Sequence, residues 1–205
     1  MARTEIAAVI LAAGQSARFR EAAGKDAPAT KLVALHRGQP LVRHVAQAAL
    51  SAGLSKVIVV TGHAQQEVQA ALAGLAVTFI HNDAHASGMA SSLKAGLAGV
   101  SDAAGFLVLL GDMPLVNAAL IAKLVDTFRS TPAADAVVPL YRGQRGNPVL
   151  LSAKLSPAIR ALQGDEGARS LLRGPDRHIV GCECDDIAVQ TDIDTPAALS
   201  ALQSS

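Results

Sequence analysis

The sequence feature that most constrains the fold is an apolar run at residues 6–11 that leads directly into Ala12, Ala13 and Gly14. An apolar run of this length, without alternating polar residues, is typical of a parallel strand that is buried on both faces. Open α/β sheets bind ligands at the carboxyl ends of such strands. Residues with almost no side chain at that point let a ligand lie on the backbone N–H groups. The alternative is a tight strand-to-helix turn that binds nothing.

Two cationic residues follow this turn, Arg18 and Lys31, and their flexible side chains can follow a polyphosphate. Together with the backbone of residues 12–14, they predict the triphosphate cradle of a nucleotidyltransferase. The better-known phosphate motifs are missing, because the sequence contains neither G-x-x-x-x-G-K-[ST] nor G-x-G-x-x-G. Neither a P-loop nor a standard dinucleotide fingerprint is therefore available.

Composition and patterning favour an α/β protein. Half of the 205 residues are hydrophobic but only 2% are aromatic, so the core must consist of Ala, Val, Leu and Ile. Apolar runs alternate with amphipathic stretches, which indicates βαβ units, and the length fits a single domain over residues 1–205. The net charge of +1 argues against nucleic acid or an anionic membrane as a partner. No apolar run reaches the length of a membrane span and the N-terminus lacks the layout of a signal peptide, so we expect a cytoplasmic protein.

The pattern also places the elements along the chain. A polar turn at residues 141–148 predicts a hairpin, and the stretch at 19–30 is expected to be a long loop. The predicted strands are residues 6–11, 56–61, 77–80, 105–110, 136–140, 179–180 and 187–189. The predicted helices are residues 41–49, 64–72, 88–97, 117–129 and 155–162, with another through 171–172 and a closing helix after Pro196.

The most apolar run, residues 105–110, is expected to be the central strand, and Asp112 follows it in the segment Gly-Asp-Met-Pro. A carboxylate directly beyond a buried strand indicates a ligand for Mg²⁺, which prefers carboxylate oxygen and keeps several waters. The alternative is that Asp112 caps a helix that begins near Pro114.

With these residues the chain resembles the MobA-like nucleoside triphosphate transferases, and among them the molybdenum cofactor cytidylyltransferases. The segment from Leu11 to Arg18, L-A-A-G-x-S-x-R followed by a lysine, resembles their signature, and Gly-Asp-x-Pro resembles their metal motif. The resemblance implies a three-layer αβα, Rossmann-like fold with a mixed, mostly parallel sheet. Lys31 is assigned as the lysine of the signature. Lys25 is its rival, because the intervening stretch is longer here than in much of the family.

The resemblance also assigns residues to the nucleotide. The segment that begins at Ser87 and Gly88 resembles one that approaches the base and ribose, although a serine capping a helix is the plainer interpretation. The nucleotide-binding residues implied in this way are Leu11, Ala12, Ala13, Gly14, Ser16, Arg18, Lys31, Ser87 and Gly88.

A second substrate is assigned to the second half of the chain. Residues 145–148 and residues 164–169 resemble segments on the acceptor side, where an arginine would hold the attacking phosphate. Asp165 has the alternative of capping a helix. The acceptor-binding residues implied are Arg145, Gly146, Asn147, Pro148, Asp165 and Arg169.

The family ends in an acidic or amide residue that completes the metal site. Asp192 is assigned this role beside Asp112, with Asp194 as the alternate because a local cap before the last helix would explain it.

The activity implied is Mg²⁺-dependent transfer of a nucleoside monophosphate from an NTP, with CTP as the expected donor, to the phosphate of molybdopterin, with release of pyrophosphate. Arg18, Lys31 and Asp112 would be the catalytic residues, and a molybdoenzyme or its maturation factor would be a protein partner. The alternatives are a guanylyl or sugar-phosphate transferase, an NAD(P)H-dependent pigment reductase, and a carrier with a degenerate site.

Other residues with reactive side chains carry weaker signals. Cys182 and Cys184 are too few for a structural zinc site, and we expect reduced, buried thiols. His63, His81 and His85 lie near predicted strand ends but lack the spacing of a metal motif.

Overall fold

The structure is a computed structural model that describes residues 5–100, 102–174 and 176–203. Its strands are β1 (Ile6–Ala12), β2 (Leu35–His36), β3 (Gln39–Pro40), β4 (Val57–Thr61), β5 (Thr78–His81), β6 (Gly105–Leu110), β7 (Ala136–Tyr141), β8 (Gln144–Arg145), β9 (Val149–Ser152) and β10 (Ile179–Glu183). Its helices are α1 (Ala17–Ala23), α2 (Leu41–Ser51), α3 (Gln65–Ala71), α4 (Met89–Ala98), α5 (Ala118–Ser130), α6 (Ser156–Ala161) and α7 (Pro196–Gln203).

Within the described residues, one large sheet has the strand order β10-β7-β9-β6-β1-β4-β5, with β8 paired to β7. The strand β1 is parallel to both β4 and β6, and β5 extends the parallel part beyond β4. The strand β9 runs antiparallel between β6 and β7, while β10 is parallel to β7 at the edge. The predicted mixed, mostly parallel sheet is confirmed.

Helices cover both faces of this sheet. Alternate residues of β1 point to opposite faces, so Ala8 and Ile10 pack with α2, α3 and α5, whereas Ala7 and Val9 pack with α4 and α6. All four side chains are buried. The three-layer αβα arrangement implied by the resemblance is therefore present, and it explains why the strand is apolar along its length.

A third, smaller apolar cluster links the two ends of the chain. Phe19 of α1, Leu41 of α2 and the buried Ile193 form its centre, and residues of α7 pack against it. The backbone N–H of Ile193 donates a hydrogen bond to the carbonyl of Asp112 over 3.0 Å. This contact holds the segment before α7 at the carboxyl end of β6.

Three element predictions need correction. The strand predicted at 187–189 is a 3₁₀ helix, Ile187–Gln190, because the Asp186 side chain accepts from the N–H of Ala188 and starts a helical turn. The helix predicted through 171–172 is a single 3₁₀ turn, Ser170–Arg173. The predicted loop at 19–30 contains most of α1 and the 3₁₀ turn Gly24–Asp26.

Among the described helices, none has both the length and the apolar character that crossing a bilayer requires.

Candidate functional site

The carboxyl ends of β1 and β6 open into a cavity of about 590 Å³. Seven of the residues predicted to bind the nucleotide line this cavity, namely Leu11, Ala13, Gly14, Ser16, Arg18, Lys31 and Gly88. Ala12 is buried in the strand instead, and Ser87 does not line the cavity. Gly14 is exposed and nothing lies within 4 Å of the position that a Cβ would take, so its backbone is open to a ligand.

Ser16 links the turn after β1 to the segment that carries Lys31. Its hydroxyl accepts a hydrogen bond from the backbone N–H of Lys31 over 3.1 Å and is hydrogen-bonded to the hydroxyl of Thr30, also over 3.1 Å. Thr30 is buried and caps the 3₁₀ turn Lys31–Val33. The Ser16 hydroxyl therefore holds the two halves of the predicted cradle together.

Three carboxylates meet at one end of the same cavity. Asp112, Asp192 and Asp194 each place an oxygen within 4.8 Å of the others. Asp192 and Asp194 flank the buried Ile193, and both line this cavity. The structure thus brings together residues that lie 80 positions apart, and it includes the alternate, Asp194, as well as Asp192.

The helix-cap interpretation of Asp112 is wrong. The helix that follows, α5, begins at Ala118, and its cap is Asn117, whose side chain accepts from the N–H of Leu120 over 2.9 Å. A helix cap therefore does not account for the carboxylate at position 112.

Lys31 forms ion pairs with two of the three carboxylates. Its Nζ lies 2.6 Å from Asp112 Oδ2 and 2.6 Å from Asp194 Oδ1. The other oxygen of Asp194 accepts from Arg18 Nη1 over 3.0 Å. Only 13% of the Lys31 side chain is exposed, against 82% for Arg18.

The pKa directions follow from this arrangement. Burial works to lower the pKa of Lys31, but the carboxylates of Asp112 and Asp194 outweigh it, and the pKa is raised. Burial raises the pKa of Asp112 against the opposing effect of Lys31. The hydrogen bond from Lys31 lowers the pKa of Asp194. Asp112 is therefore the desolvated carboxylate of the three, and the ammonium beside it compensates its charge.

The donor atoms present fit a hard divalent cation. All three side chains offer carboxylate oxygen, which Mg²⁺ and similar ions prefer. Oδ1 of Asp112 is buried and has no hydrogen-bond partner in the described structure, which leaves one ligand oxygen directed at no protein group. A buried, unpartnered oxygen costs free energy unless something else satisfies it.

The structure separates the two candidate lysines. Lys25 is exposed in the turn Gly24–Asp26 and does not line the cavity, whereas Lys31 lies inside it. Lys31 is therefore the lysine placed to act in this cavity.

A second cavity, of about 650 Å³, adjoins the first. The two share the residues Leu11, Met89, Leu110, Asp165 and Asp192 in their linings. One of the three carboxylates therefore faces both cavities.

The predicted acceptor residues divide between this cavity and the surface. Asn147, Asp165 and Arg169 line it. Arg145, Gly146 and Pro148 do not: Arg145 is exposed in β8, and Gly146 packs so closely on Val189 that an added Cβ would lie 2.3 Å from its carbonyl oxygen. The 145–148 segment supports the cavity wall more than it lines it. Arg145, which the resemblance assigns to the acceptor phosphate, therefore lies outside the lining of this cavity.

Two caps expected from the sequence are also wrong. Ser87 belongs to the 3₁₀ turn His85–Ser87, where its hydroxyl donates to the carbonyl of Ala84 over 2.7 Å, and the cap position of α4 is Gly88. Asp165 precedes no regular helix, because the turn that follows begins only at Ser170.

Sequence reasoning missed one residue that lines the second cavity and singled out another only weakly. Arg173 lines the second cavity together with Arg169, and the two lie at opposite ends of the 3₁₀ turn Ser170–Arg173. His85 lines the first cavity, and its Nδ1 is buried without a partner in the described structure. No sequence signal singles out Arg173, whereas His85 follows a predicted strand end.

Known proteins share the sequence pattern and the fold of this chain. The sequence profile described as the MobA-like NTP transferase domain matches residues 8–180. The chain belongs to this family.

Among curated relatives of this MobA-like protein is the bifunctional protein GlmU of Syntrophomonas wolfei, 33% identical over 134 residues. The match covers 65% of this chain but only 28% of GlmU, so the chain corresponds to a small part of that relative. The nicotine blue oxidoreductase of Paenarthrobacter nicotinovorans is 29% identical over 195 residues, which is 93% of this chain and 92% of the relative.

A solved structure, Rv0371c of Mycobacterium tuberculosis, superposes with a TM-score of 0.83 at 27% identity and covers all of both chains. A second structure of Rv0371c is a complex with manganese, with a TM-score of 0.78 over 98% of this chain and 99% of that one. A protein of the same fold and of similar sequence therefore binds a divalent metal.

Proposed function

We propose that this MobA-like protein is a Mg²⁺-dependent nucleotidyltransferase. It transfers a nucleoside monophosphate from CTP to the phosphate of an acceptor of the molybdopterin type and releases pyrophosphate. The observation that carries the proposal is the position of Asp192, which faces both cavities and lies within 4.8 Å of Asp112 and Asp194. A transferase needs its charge-stabilising groups at the junction between donor and acceptor.

In the proposed reaction an oxygen of the acceptor phosphate attacks the α-phosphorus of the nucleotide. The bond from the α-phosphorus to the bridging oxygen of the β-phosphate breaks, and pyrophosphate leaves with that electron pair. Such a reaction is accelerated chiefly by positioning and by neutralisation of charge. The protein offers both, since the backbone around Gly14 is open to phosphate oxygens and Arg18 and Lys31 supply positive charge beside it.

Asp112, Asp192 and Asp194 would hold the metal. A divalent cation bound there supplies a Lewis acid that neutralises phosphate charge and orients the reacting oxygens. Arg169 and Arg173 line the second cavity, where they would bind the acceptor's anionic group in the bidentate manner that guanidinium permits.

The choice of CTP and of molybdopterin rests on resemblance to the cytidylyltransferase branch. The glycine of the Gly88-Met89 segment lines the first cavity and Met89 lines both cavities, which supports this choice. The base and the acceptor therefore need a direct test.

Thermal shift with CTP, GTP, ATP and UTP, each with and without Mg²⁺, tests the donor. We expect a Mg²⁺-dependent shift that is largest for CTP. Pyrophosphate release measured across phosphate-bearing acceptors then identifies the second substrate. A larger thermal shift with another NTP would identify that NTP, and not CTP, as the donor. If no acceptor leads to pyrophosphate release, the transfer reaction is refuted.

A reductase is the second candidate, because a relative that matches nearly the full chain is named nicotine blue oxidoreductase. NADPH belongs in the same thermal-shift panel for this reason. A metal-independent shift with NADPH, together with no response to any NTP, would favour reduction over nucleotidyl transfer.

A further inference from the structure

Lys31 lies between two of the three carboxylates that would hold a metal ion. Its ammonium contacts Asp112 and Asp194 at 2.6 Å each, so it bridges two of the three converging carboxylates. Carboxylates this close repel one another unless a positive charge lies between them. Lys31 supplies that charge.

We propose that Lys31 is the resident counter-ion of this site. Its ammonium holds Asp112 and Asp194 until a divalent cation takes their oxygens, and the side chain is then released toward the triphosphate cradle. The inference rests on the proposed metal-dependent function and assigns Lys31 two successive partners.

The cations already on these carboxylates favour an exchange. Asp194 has one oxygen on Lys31 and the other on Arg18, so a third cation there would be repelled by the two positive charges in contact with it. Asp112 has a free oxygen, but its second oxygen holds the ammonium, and an ammonium beside a divalent cation is repelled strongly in a partly buried site. Binding of one divalent cation by all three carboxylates therefore requires that the ammonium of Lys31 move away from them.

Only the side chain needs to move. The backbone of Lys31 is held by Ser16, which accepts from its N–H over 3.1 Å, and by the buried Thr30. A lysine side chain is a charge on a flexible four-carbon stem. Lys31 lines the same cavity as Gly14 and Arg18, so a phosphate bound there lies within its reach.

The exchange couples the two ligands. Breaking two ion pairs is unfavourable unless the released ammonium finds a new anion, and the triphosphate is that anion. A cation and a triphosphate should therefore each strengthen the binding of the other.

The first test compares binding of Mn²⁺ alone to the wild-type protein, Lys31→Met and Arg18→Met, measured from the electron paramagnetic resonance signal of free Mn²⁺. Both variants lose one positive charge near Asp194, but only Lys31 contacts Asp112 as well. We expect Lys31→Met to bind Mn²⁺ at least about tenfold more tightly than the wild type does. Arg18→Met should bind Mn²⁺ no more than about threefold more tightly than the wild type.

Equal gains in the two variants would show a general field effect and overturn the proposal, as would weaker Mn²⁺ binding by Lys31→Met. Failure of the proposed function is a separate outcome. If the wild type releases no pyrophosphate, the transfer reaction is refuted. The difference in Mn²⁺ binding between the two variants would still decide the role of Lys31.

A second test uses the wild-type protein and therefore does not depend on how well Lys31→Met folds. The ammonium of Lys31 is pinned by two carboxylates, so it should react slowly with an amine-specific reagent, as followed by mass spectrometry. We expect Mn²⁺ to raise the labelling of Lys31 at least about fivefold, with the exposed Lys25 as an internal reference that does not change. Labelling of Lys31 that is unaffected by saturating Mn²⁺ would show that it stays in place, and the proposal would be wrong.

Discussion

The backbone N–H of Ile193 donates to the carbonyl of Asp112 over 3.0 Å, and this single hydrogen bond joins the end of the central strand to the last segment before α7. Asp192 and Asp194 lie on either side of Ile193, whose side chain is buried with Phe19 and Leu41. The three carboxylates therefore converge because an apolar residue between two of them is anchored in a core.

Asp112→Asn should lower pyrophosphate release at least about a hundredfold, the cost of losing one preorganised electrostatic contact. The substitution removes the charge of the most buried carboxylate and one of the two partners of Lys31. Initial rates at saturating Mg²⁺ and NTP are the measurement. Asp126→Asn, on the exposed face of α5, is the matched control and should retain wild-type turnover. Turnover of Asp112→Asn within about tenfold of the wild type would contradict the assignment.

Gly88→Ala should destabilise the protein more than Gly74→Ala. Both glycines have a positive φ, 108° and 81°, so alanine is strained at each position, and Gly88 combines its φ with a ψ of 177°, a region that essentially only glycine adopts. A Cβ at Gly88 would also lie 2.2 Å from the carbonyl oxygen of Gly164, whereas nothing lies within 4 Å of the same position at Gly74. We expect the additional loss to be about 1–3 kcal/mol.

Urea unfolding of both variants measures this difference in the free energy of unfolding. Equal losses would mean that the segment around Gly164 moves aside freely, and Gly88 would then be needed only for its φ.

Gly96→Ala should destabilise the protein although alanine favours helices by about 1 kcal/mol over glycine. A Cβ at Gly96 would lie 2.3 Å from Cγ1 of Val9, so α4 could not approach β1 as closely as it does. We expect a loss of about 1–3 kcal/mol from overpacking.

Val9→Ala removes the obstructing methyl group, so the double variant should be more stable than the sum of the two single losses predicts. A coupling of about 0.5–3 kcal/mol in a double-mutant cycle would agree with this geometry. Strict additivity would show that the helix–strand contact is not what requires glycine at position 96.

His36 should make the protein less stable in mild acid. Its side chain is 2% exposed, and burial, followed by the nearby charges of His44 and Arg37, lowers its pKa from the ordinary value of 6.5. The unfolded chain therefore binds a proton at a pH where the folded protein does not, and stability falls as pH drops below about 6.5 toward the folded pKa. Above that pH the contribution is fully present.

Thermal unfolding followed between about pH 5 and pH 8 measures this loss of stability in acid. His36→Gln should flatten the decline in acid, while His178→Gln, at an exposed position, should leave it unchanged. An equally steep decline in His36→Gln would assign the acid sensitivity to other groups.

Much of the architecture could be predicted from local pattern. The run at 6–11, the six-residue apolar strand before Asp112 and the helix capped by Asn117 all lie close to where the sequence places them. Each depends on hydrophobic periodicity and on neighbours within a few positions, which is information that a sequence carries directly. The strand predicted at 187–189 failed because a cap at Asp186 outweighs an apolar triplet that is equally compatible with a buried helical turn.

The sequence by itself determined the sheet, its buried strands and the presence of a carboxylate and a small-residue turn at their carboxyl ends. Only the tertiary structure decided how the charged side chains pair. The ammonium of Lys31 contacts both Asp112 and Asp194 and so links the two carboxylates. Lys25 and Arg145 lie outside the two cavities. The reason is physical: strands and helices are signalled by hydrophobic periodicity that is local in sequence, whereas an ion pair across 163 positions exists only after packing has set the distance.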